Sequence, residues 1–262
     1  MSGPSPHWGT VWITGASSGI GRELARQIAP QAAHVAISAR TESALLALEQ
    51  DLNGVSAYPT DVTKGEDVAA CVEQIEAKHG AIDLAVLNAG YWKLMPADDL
   101  DLVAMERAIE VNYLGVVRGL TAVLPSMLRR GSGHIAIVAS VAGYRGLPNS
   151  AGYGPTKAAL INLAESLKVE LAPKGITISI VNPGFVDTPM TRNNPFPMPG
   201  IISASQAATA MLVGLKWQRY EIIFPKPFGF AMKALRLLPN ALYFWLATKF
   251  ILNNPGQSRT NL

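Results

Sequence analysis

Seven short apolar runs punctuate the chain: TVWIT (10–14), HVAIS (34–38), VSAYP (55–59), IDLAVLN (82–88), HIAIVAS (134–140), ITISIVN (176–182) and EIIFP (221–225). Most are apolar at every position rather than at alternate ones, which predicts strands covered on both faces. Between them lie amphipathic stretches near 19–29, 41–52, 65–79, 100–130, 153–173 and 203–218. Strand and helix in strict alternation imply right-handed crossovers and a doubly wound parallel sheet with helices on both faces. The stretch 100–130 opens on DDLD and closes on Arg129, Arg130 and Gly131, so charge and stop signal both mark one long helix crossing the domain.

Composition supports one large unit. The chain has 262 residues, 49% of them hydrophobic, and α/β proteins commonly reach about 250 residues as one domain. No repeat and no long linker interrupts it. The expected organisation is a catalytic domain over 1–225 and a helical extension over 226–262. A single cysteine, Cys71, cannot form an internal disulfide, which suits a reducing, cytoplasmic setting. Four histidines (His7, His34, His79, His134) stand alone, so no metal site is expected. Residues 1–10 carry no basic start and no apolar run, which predicts no secretory signal.

Charge is uneven. The net value is +3, too small to imply nucleic acid. Every Asp and Glu lies at or before Glu221, so residues 1–221 sum to −2 and residues 222–262 to +5, from Lys226, Lys233, Arg236, Lys249 and Arg259. That last segment also holds seven of the 19 aromatic residues.

The first strand runs into Thr14-Gly15-Ala16-Ser17-Ser18-Gly19-Ile20-Gly21, and a helix begins at once. A turn without bulky side chains at three places, opening onto a helix N-terminus, can cradle a pyrophosphate on backbone N–H groups. The spacing is GxxxGxG and not GxGxxG. Here the chain resembles the short-chain dehydrogenases/reductases, whose glycine motif is TGxxxGIG. The other motifs follow in that family's order over roughly residues 9–225: Asp61-Val62, Asn88-Ala89-Gly90, Asn112, Ser140, Tyr153-x-x-x-Lys157, and Asn182-Pro183-Gly184 with Thr188. The resemblance implies a Rossmann-like fold and a nicotinamide cofactor. It places Gly15, Ser17, Ser18, Gly19, Ile20 and Gly21 at the pyrophosphate, Asp61 and Val62 at the adenine, Ala89 and Gly90 at the ribose with Asn88 bracing the fourth strand, and Pro183, Gly184, Val186 and Thr188 at the nicotinamide.

The second strand ends Ile37-Ser38-Ala39-Arg40, with no acid for a ribose 2′-hydroxyl. A guanidinium there can clamp a 2′-phosphate, so NADP(H) is the expected cofactor, with Ser38 and Arg40 as phosphate contacts. Were Arg40 a solvated surface residue, NAD(H) would serve as well.

Tyr153 and Lys157 stand four apart, on one face of one helix. A nearby ammonium, together with the positive charge of an oxidised nicotinamide, favours phenolate and brings the tyrosine pKa toward working pH. Lys157 can also hold ribose hydroxyls. Ser140 would orient the substrate oxygen, and the resemblance makes Asn112 the holder of a water that links Lys157 to solvent. Pro155 implies that the helix starts near Tyr153.

The expected reaction is hydride transfer between NADP(H) and a carbonyl or secondary alcohol. Tyr91, Trp92, Val141, Ala142, Gly143, Tyr144, Leu147, Phe185 and a lid-like loop over 189–202 are the candidate lining. Their apolar, aromatic character favours a lipid-derived, steroid-like or aromatic substrate. A 3-oxoacyl thioester reductase is the rival enzyme, and a catalytically silent nucleotide-binding regulator is the rival of another class. The family resemblance also suggests a homo-oligomer, dimer or tetramer. Two helices are expected after residue 225, parted by Pro239-Asn240. They would pack on the domain or a second subunit, or lie on a membrane surface. Their apolar runs are too short to span a bilayer.

Overall fold

The structure, a computed structural model, describes residues 7–252. Residues 1–6 and 253–262, Arg259 among them, lie outside the described residues, so the readings of the first decapeptide and of the extension are tested only in part.

The expected alternation is present. Strands β1 (Trp8–Thr14), β2 (Ala32–Ser38), β3 (Val55–Ala57), β4 (Ile82–Leu87), β5 (Gly133–Val138) and β6 (Ile176–Pro183) are joined by helices α1 (Gly19–Ile28), α2 (Glu42–Asp51), α3 (Gly65–His79), α4 (Leu102–Ala108), α5 (Gly115–Arg130) and α6 (Gly154–Leu171). A short parallel pair, β7 (Val186–Asp187) and β8 (Ile202–Ser203), follows. The chain then forms α7 (Ala204–Lys216), β9 (Glu221–Phe224), α8 (Lys226–Leu235) and α9 (Asn240–Ala247). The sheet has seven parallel strands in the order β3-β2-β1-β4-β5-β6-β9. The chain leaves β1 in one direction along the sheet and returns to its other side at β4. A crevice therefore opens between their C-terminal ends, where such folds bind ligands.

Two packed layers explain why the strands are apolar throughout. Val11, Ile13, Leu84, Val86, Ala136 and Val138 face α1, α2 and α7, whereas Trp12, Ala85, Leu87, Ile135 and Ile137 face α3, α5 and α6. Alternate residues of each strand thus enter different cores, and each fully buried aliphatic side chain contributes about 1.5–3 kcal/mol.

The long helix differs from the expected uniform one. Asp101 accepts the N–H of Ala104 at 3.0 Å and so caps its start. Gly131, at φ 66°, ends it. Between α4 and α5 the backbone widens into a π turn over Ile109–Leu114, which contains Asn112. Such turns arise where a side chain must be turned away from its regular helical position. By length and mean hydropathy, 1.2 over 18 residues, this helix could cross a membrane. Its apolar face instead buries Val116, Leu120, Val123 and Met127 against the sheet.

Helix α7 lies so close to β9 that a Cβ on Gly214 would sit 2.6–2.8 Å from three side-chain carbons of Ile222. Gly214→Ala should therefore cost about 1–3 kcal/mol by overpacking. Ile222→Ala in the same chain should recover part of that loss, giving a non-zero coupling in a denaturant double-mutant cycle. Additive effects would show that the two positions do not touch.

Candidate active site

The crevice is built by tying β1 to β4. The Thr14 hydroxyl accepts the backbone N–H of Asn88 at 2.9 Å and of Ala89 at 3.1 Å. In return the Asn88 amide donates to the carbonyls of Thr14 and Gly15, at 3.0 and 3.2 Å. Asn88 thus braces the glycine turn as well as its own strand. Gly15 has φ +69°, and a Cβ there would fall 2.8 Å from the Ala89 Cα. A Cβ on Gly21 would fall 2.5 Å from the Gly15 carbonyl oxygen. Helix α1 opens with Ser18 extended, without a side-chain cap and without an acid in its first turn. Its first N–H groups and its positive dipole end are left for an anion.

A groove of about 340 Å³ runs from this turn to Tyr153. Gly15, Ser17, Ser18, Gly19, Ile20, Arg40, Asp61, Val62, Asn88, Ala89, Gly90, Ser140, Tyr153, Lys157, Pro183, Gly184, Val186 and Thr188 all line it. The residues expected to hold a nicotinamide cofactor therefore fit one: a small-residue cradle at one end, a cation beside it and a Tyr–Lys pair at the other. Asp61 is shared with its own turn. Burial pushes its carboxyl up, but the N–H and hydroxyl of Thr63, then the charges of Arg40 and Lys64, carry it below the usual value.

Three expected residues lie behind the groove wall. Gly21 acts by close packing alone. Ser38 is a correction: it is fully buried, its hydroxyl accepts the Trp12 indole N–H at 2.9 Å and lies 3.4 Å from Cys71 Sγ, so it cannot reach a phosphate. Ser38 is the last residue of β2 and points into the core; the strand ends there, and Arg40 and Thr41 beyond it are exposed at the groove. Asn112 is the third. It is fully buried, and its amide is engaged with the Tyr91 N–H (2.6 Å), the Tyr91 carbonyl (3.0 Å) and the Thr156 hydroxyl (3.1 Å). No hydrogen bond joins its side chain to Lys157 among the described residues. The contacts with Tyr91 and Thr156 fasten the Gly90–Tyr91 wall to the start of α6.

Tyr153 caps α6, with Pro155 in the first turn as expected, and Lys157 follows one turn later. The ammonium lies 5.4 Å from the Tyr153 ring centroid and donates to the Val138 carbonyl at 2.9 Å. Ser140 accepts the Ala142 N–H at 3.1 Å and donates to the Pro183 carbonyl at 3.3 Å. Burial opposes charge on both catalytic groups. It pushes the Tyr153 phenol up to about 12, only partly offset by the Ser140 hydroxyl, and brings Lys157 down to about 7. In the protein alone desolvation sets the direction for the tyrosine; the expected lowering depends also on the charge of an oxidised nicotinamide.

Beyond Tyr153 lies a second cavity of about 600 Å³. Trp92, Val141, Ala142, Leu147 and Phe185 line it as expected, together with Met190, Phe196 and Met198 of the 189–202 loop. Trp92 packs edge-on against Tyr153, centroids 5.2 Å apart, and donates to the Asn194 side chain at 3.0 Å, pinning the loop over the cavity. Three lining expectations are corrected. Tyr91 faces the cofactor groove, beneath the Arg107 guanidinium at 4.8 Å. Gly143 abuts the Lys157 backbone. The Tyr144 hydroxyl turns into the fold and donates to Glu221 at 2.6 Å. Phe228, Met232 and Phe250 from the C-terminal helices complete the lining. Their apolar spacing was visible in sequence, but nothing local showed that this segment folds back over the site.

A parallel sheet with a glycine cradle at its switch point, next to a serine–tyrosine–lysine centre, defines a nucleotide-dependent oxidoreductase. The chain belongs to the short-chain dehydrogenase/reductase family: the family model for short chain dehydrogenases matches residues 9–196. An uncharacterised oxidoreductase of Myxococcus xanthus is 35% identical over 238 residues, 89% of this chain and 94% of its own. Another, from Listeria monocytogenes, is 39% identical over 65% of this chain and 71% of its own. Among solved structures, a short-chain dehydrogenase of Sphingobium yanoikuyae in complex with NADPH superposes with a TM-score of 0.75, at 28% identity, over 88% of this chain and 97% of that one. A Burkholderia phymatum member in complex with NAD gives 0.79, at 26% identity, over 86% and 92%. The protein is an NAD(P)-dependent enzyme of this family.

Burial of Lys157 makes a pH prediction for the nucleotide-free protein. Between its folded value of about 7 and the ordinary 10.5, the unfolded chain holds a proton that folded Lys157 has released. Stability from this group therefore rises with pH across that window and is least below pH 7. Lys157→Met should remove this contribution, so that the difference in unfolding free energy between variant and parent shrinks from neutral to alkaline pH. A pH-independent difference would mean that Lys157 keeps its ordinary pKa.

Proposed function

We propose that the protein transfers hydride between NADP(H) and an apolar ketone or secondary alcohol. One observation carries this reading: Ser140 and Tyr153 line both the cofactor groove and the apolar cavity, so a carbonyl held in the second meets whatever is held in the first at these two hydroxyls. The nicotinamide, when bound, supplies or accepts the hydride. Ser140 donates to the substrate oxygen and stabilises its developing negative charge. Tyr153 then delivers its proton to that oxygen. A phenol that burial keeps protonated suits this acid role. Lys157 holds ribose hydroxyls and, when charged, stabilises the phenolate left behind. Trp92 fixes the ring plane of Tyr153, and Asn112 holds the opposite wall.

Preference for the phosphorylated cofactor rests on Arg40 and Thr41 at the groove, with no acid at the end of β2. Preference for an apolar substrate rests on a cavity walled by phenylalanine, methionine and proline. Ser150 Oγ, buried there without a partner among the described residues, suits a second oxygen on the substrate. Among the described residues no cationic side chain lines the cavity to hold a phosphorylated thioester carrier, which favours a simple ketone over a 3-oxoacyl thioester.

NADPH should bind more tightly than NADH by about one to two decades, and Arg40→Ala should remove most of that difference in fluorescence titrations. Equal affinities in the parent would refute the assignment. Tyr153→Phe should abolish reduction of any ketone the parent turns over, read at the NADPH absorbance, while leaving NADPH affinity nearly unchanged. Retained turnover would remove Tyr153 from the proton-transfer role.

A further inference from the structure

Helices α8 and α9 are only half absorbed by the fold. Their inner side is fastened at several points. Gly229 lies against Ile223, Met232 is buried, and Lys233 pairs with Glu221, which also accepts from Tyr144 and Asn182. Tyr243 is buried and its hydroxyl donates to the Gly146 carbonyl. Arg145 donates to Asn240 Oδ1 at 2.7 Å and covers the Tyr243 ring at 4.4 Å. The outer side of these helices, of the link between them and of the π turn Thr248–Leu252 that follows presents Phe230, Leu237, Leu242, Phe244, Trp245 and Phe250, each between 43% and 85% exposed. Isolated exposed apolar residues are ordinary, but six large ones within 21 residues form a patch that calls for a partner.

The charges around the patch choose that partner. Lys226, Arg236 and Lys249 interrupt the apolar positions, and none pairs with a carboxylate among the described residues. Lys249 lies 4.9 Å from the Trp245 ring centroid and 5.3 Å from that of Phe250, so cation and aromatics share one surface. No acid occurs after Glu221. A symmetric contact with a second copy would set this patch against itself, cation facing cation with no acid from the same segment to neutralise them. An anionic bilayer satisfies both features at once, taking aromatics at the acyl boundary and Lys and Arg at the headgroups.

We propose that α8 and α9 dock the enzyme on an anionic membrane surface, with the mouth of the substrate cavity facing the lipid. Phe250 is 57% exposed on this surface and also lines the cavity, beside Phe228 and Met232. A bilayer-dissolved ketone can therefore pass from acyl chains to Tyr153 along an apolar wall. The docking surface stands on charge and exposure alone; the entry route rests on the functional reading above.

Flotation of the full chain with phosphatidylcholine vesicles, with and without phosphatidylglycerol, tests the docking. Association should require the anionic lipid and should fall at high salt, because headgroup attraction is screened beyond about 8 Å at physiological ionic strength. Arg236→Gln with Lys249→Gln should weaken partitioning roughly 25-fold, at about fivefold per cation. Phe244→Ser with Trp245→Ser should abolish it, while circular dichroism and NADPH affinity stay at parent values, since these side chains are exposed. Failure to float with anionic vesicles at low salt would overturn the proposal. So would a stable dimer that the Phe244/Trp245 substitutions dissociate. For the entry route, anionic vesicles should speed reduction of a long-chain ketone dissolved in them but not of a short water-soluble one, and equal rates for the two vesicle types would overturn it. If no ketone is reduced at all, the functional reading fails while flotation still decides the docking surface.

Discussion

The tie between β1 and β4 is the constraint on which the rest of the site depends. Two strands far apart in sequence meet at the centre of the sheet, and four hydrogen bonds join Thr14 and Gly15 to Asn88 and Ala89 across their ends. These bonds satisfy backbone groups that the ladder has stopped pairing. They also hold the glycine turn open toward the crevice, where the unoccupied N–H groups of α1 collect. A side chain on Gly15 or Gly21 would drive the same atoms apart, so the cradle and the strand tie are one structure. The groove and the placement of Tyr153 follow from where that crevice opens.

Catalytic power is set up by burial rather than by charge alone. Lys157 and Tyr153 sit where desolvation disfavours both ammonium and phenolate, so neither group carries full charge before ligands arrive. The surroundings hold both in place: the Val138 carbonyl takes the lysine, Trp92 backs the tyrosine ring, and the π turn brings Asn112 to brace the facing wall. The widened turn links a local departure from helical geometry to a single buried amide with three well-placed partners. Its side chain holds the shape of the site.

The C-terminal helices join this centre to the surface. Their inner residues close the apolar cavity, and Glu221, the last acid in the chain, anchors α8 through Lys233 while holding Tyr144 and Asn182. The outer residues remain free for a partner. One segment thereby determines both the size of the substrate cavity and what its mouth can face.

Much of this was legible in the residues. All-apolar strands alternating with amphipathic helices determined the parallel sheet, because only strands covered on both faces tolerate that pattern. Ordered motifs determined the family, the Tyr153–Lys157 pair and nearly the whole groove. Other features depended on which way individual side chains turn. Ser38 and Arg40 are two residues apart, yet one lies in the core beside Trp12 and the other at the groove, a choice made by the twist and end of β2. The same holds for Tyr144, which local sequence places near the cavity and Glu221 draws away. The motif marks Asn112, but its bracing contacts with Tyr91 and Thr156 were legible only in the fold. The sequence by itself determined the fold, the chemistry and the charge asymmetry of the tail, since these follow from periodicity, motif and composition. The tertiary structure alone decided the pKa directions, the true cavity wall and the folding of α8 over the site, because burial and long-range contact are properties of no local segment.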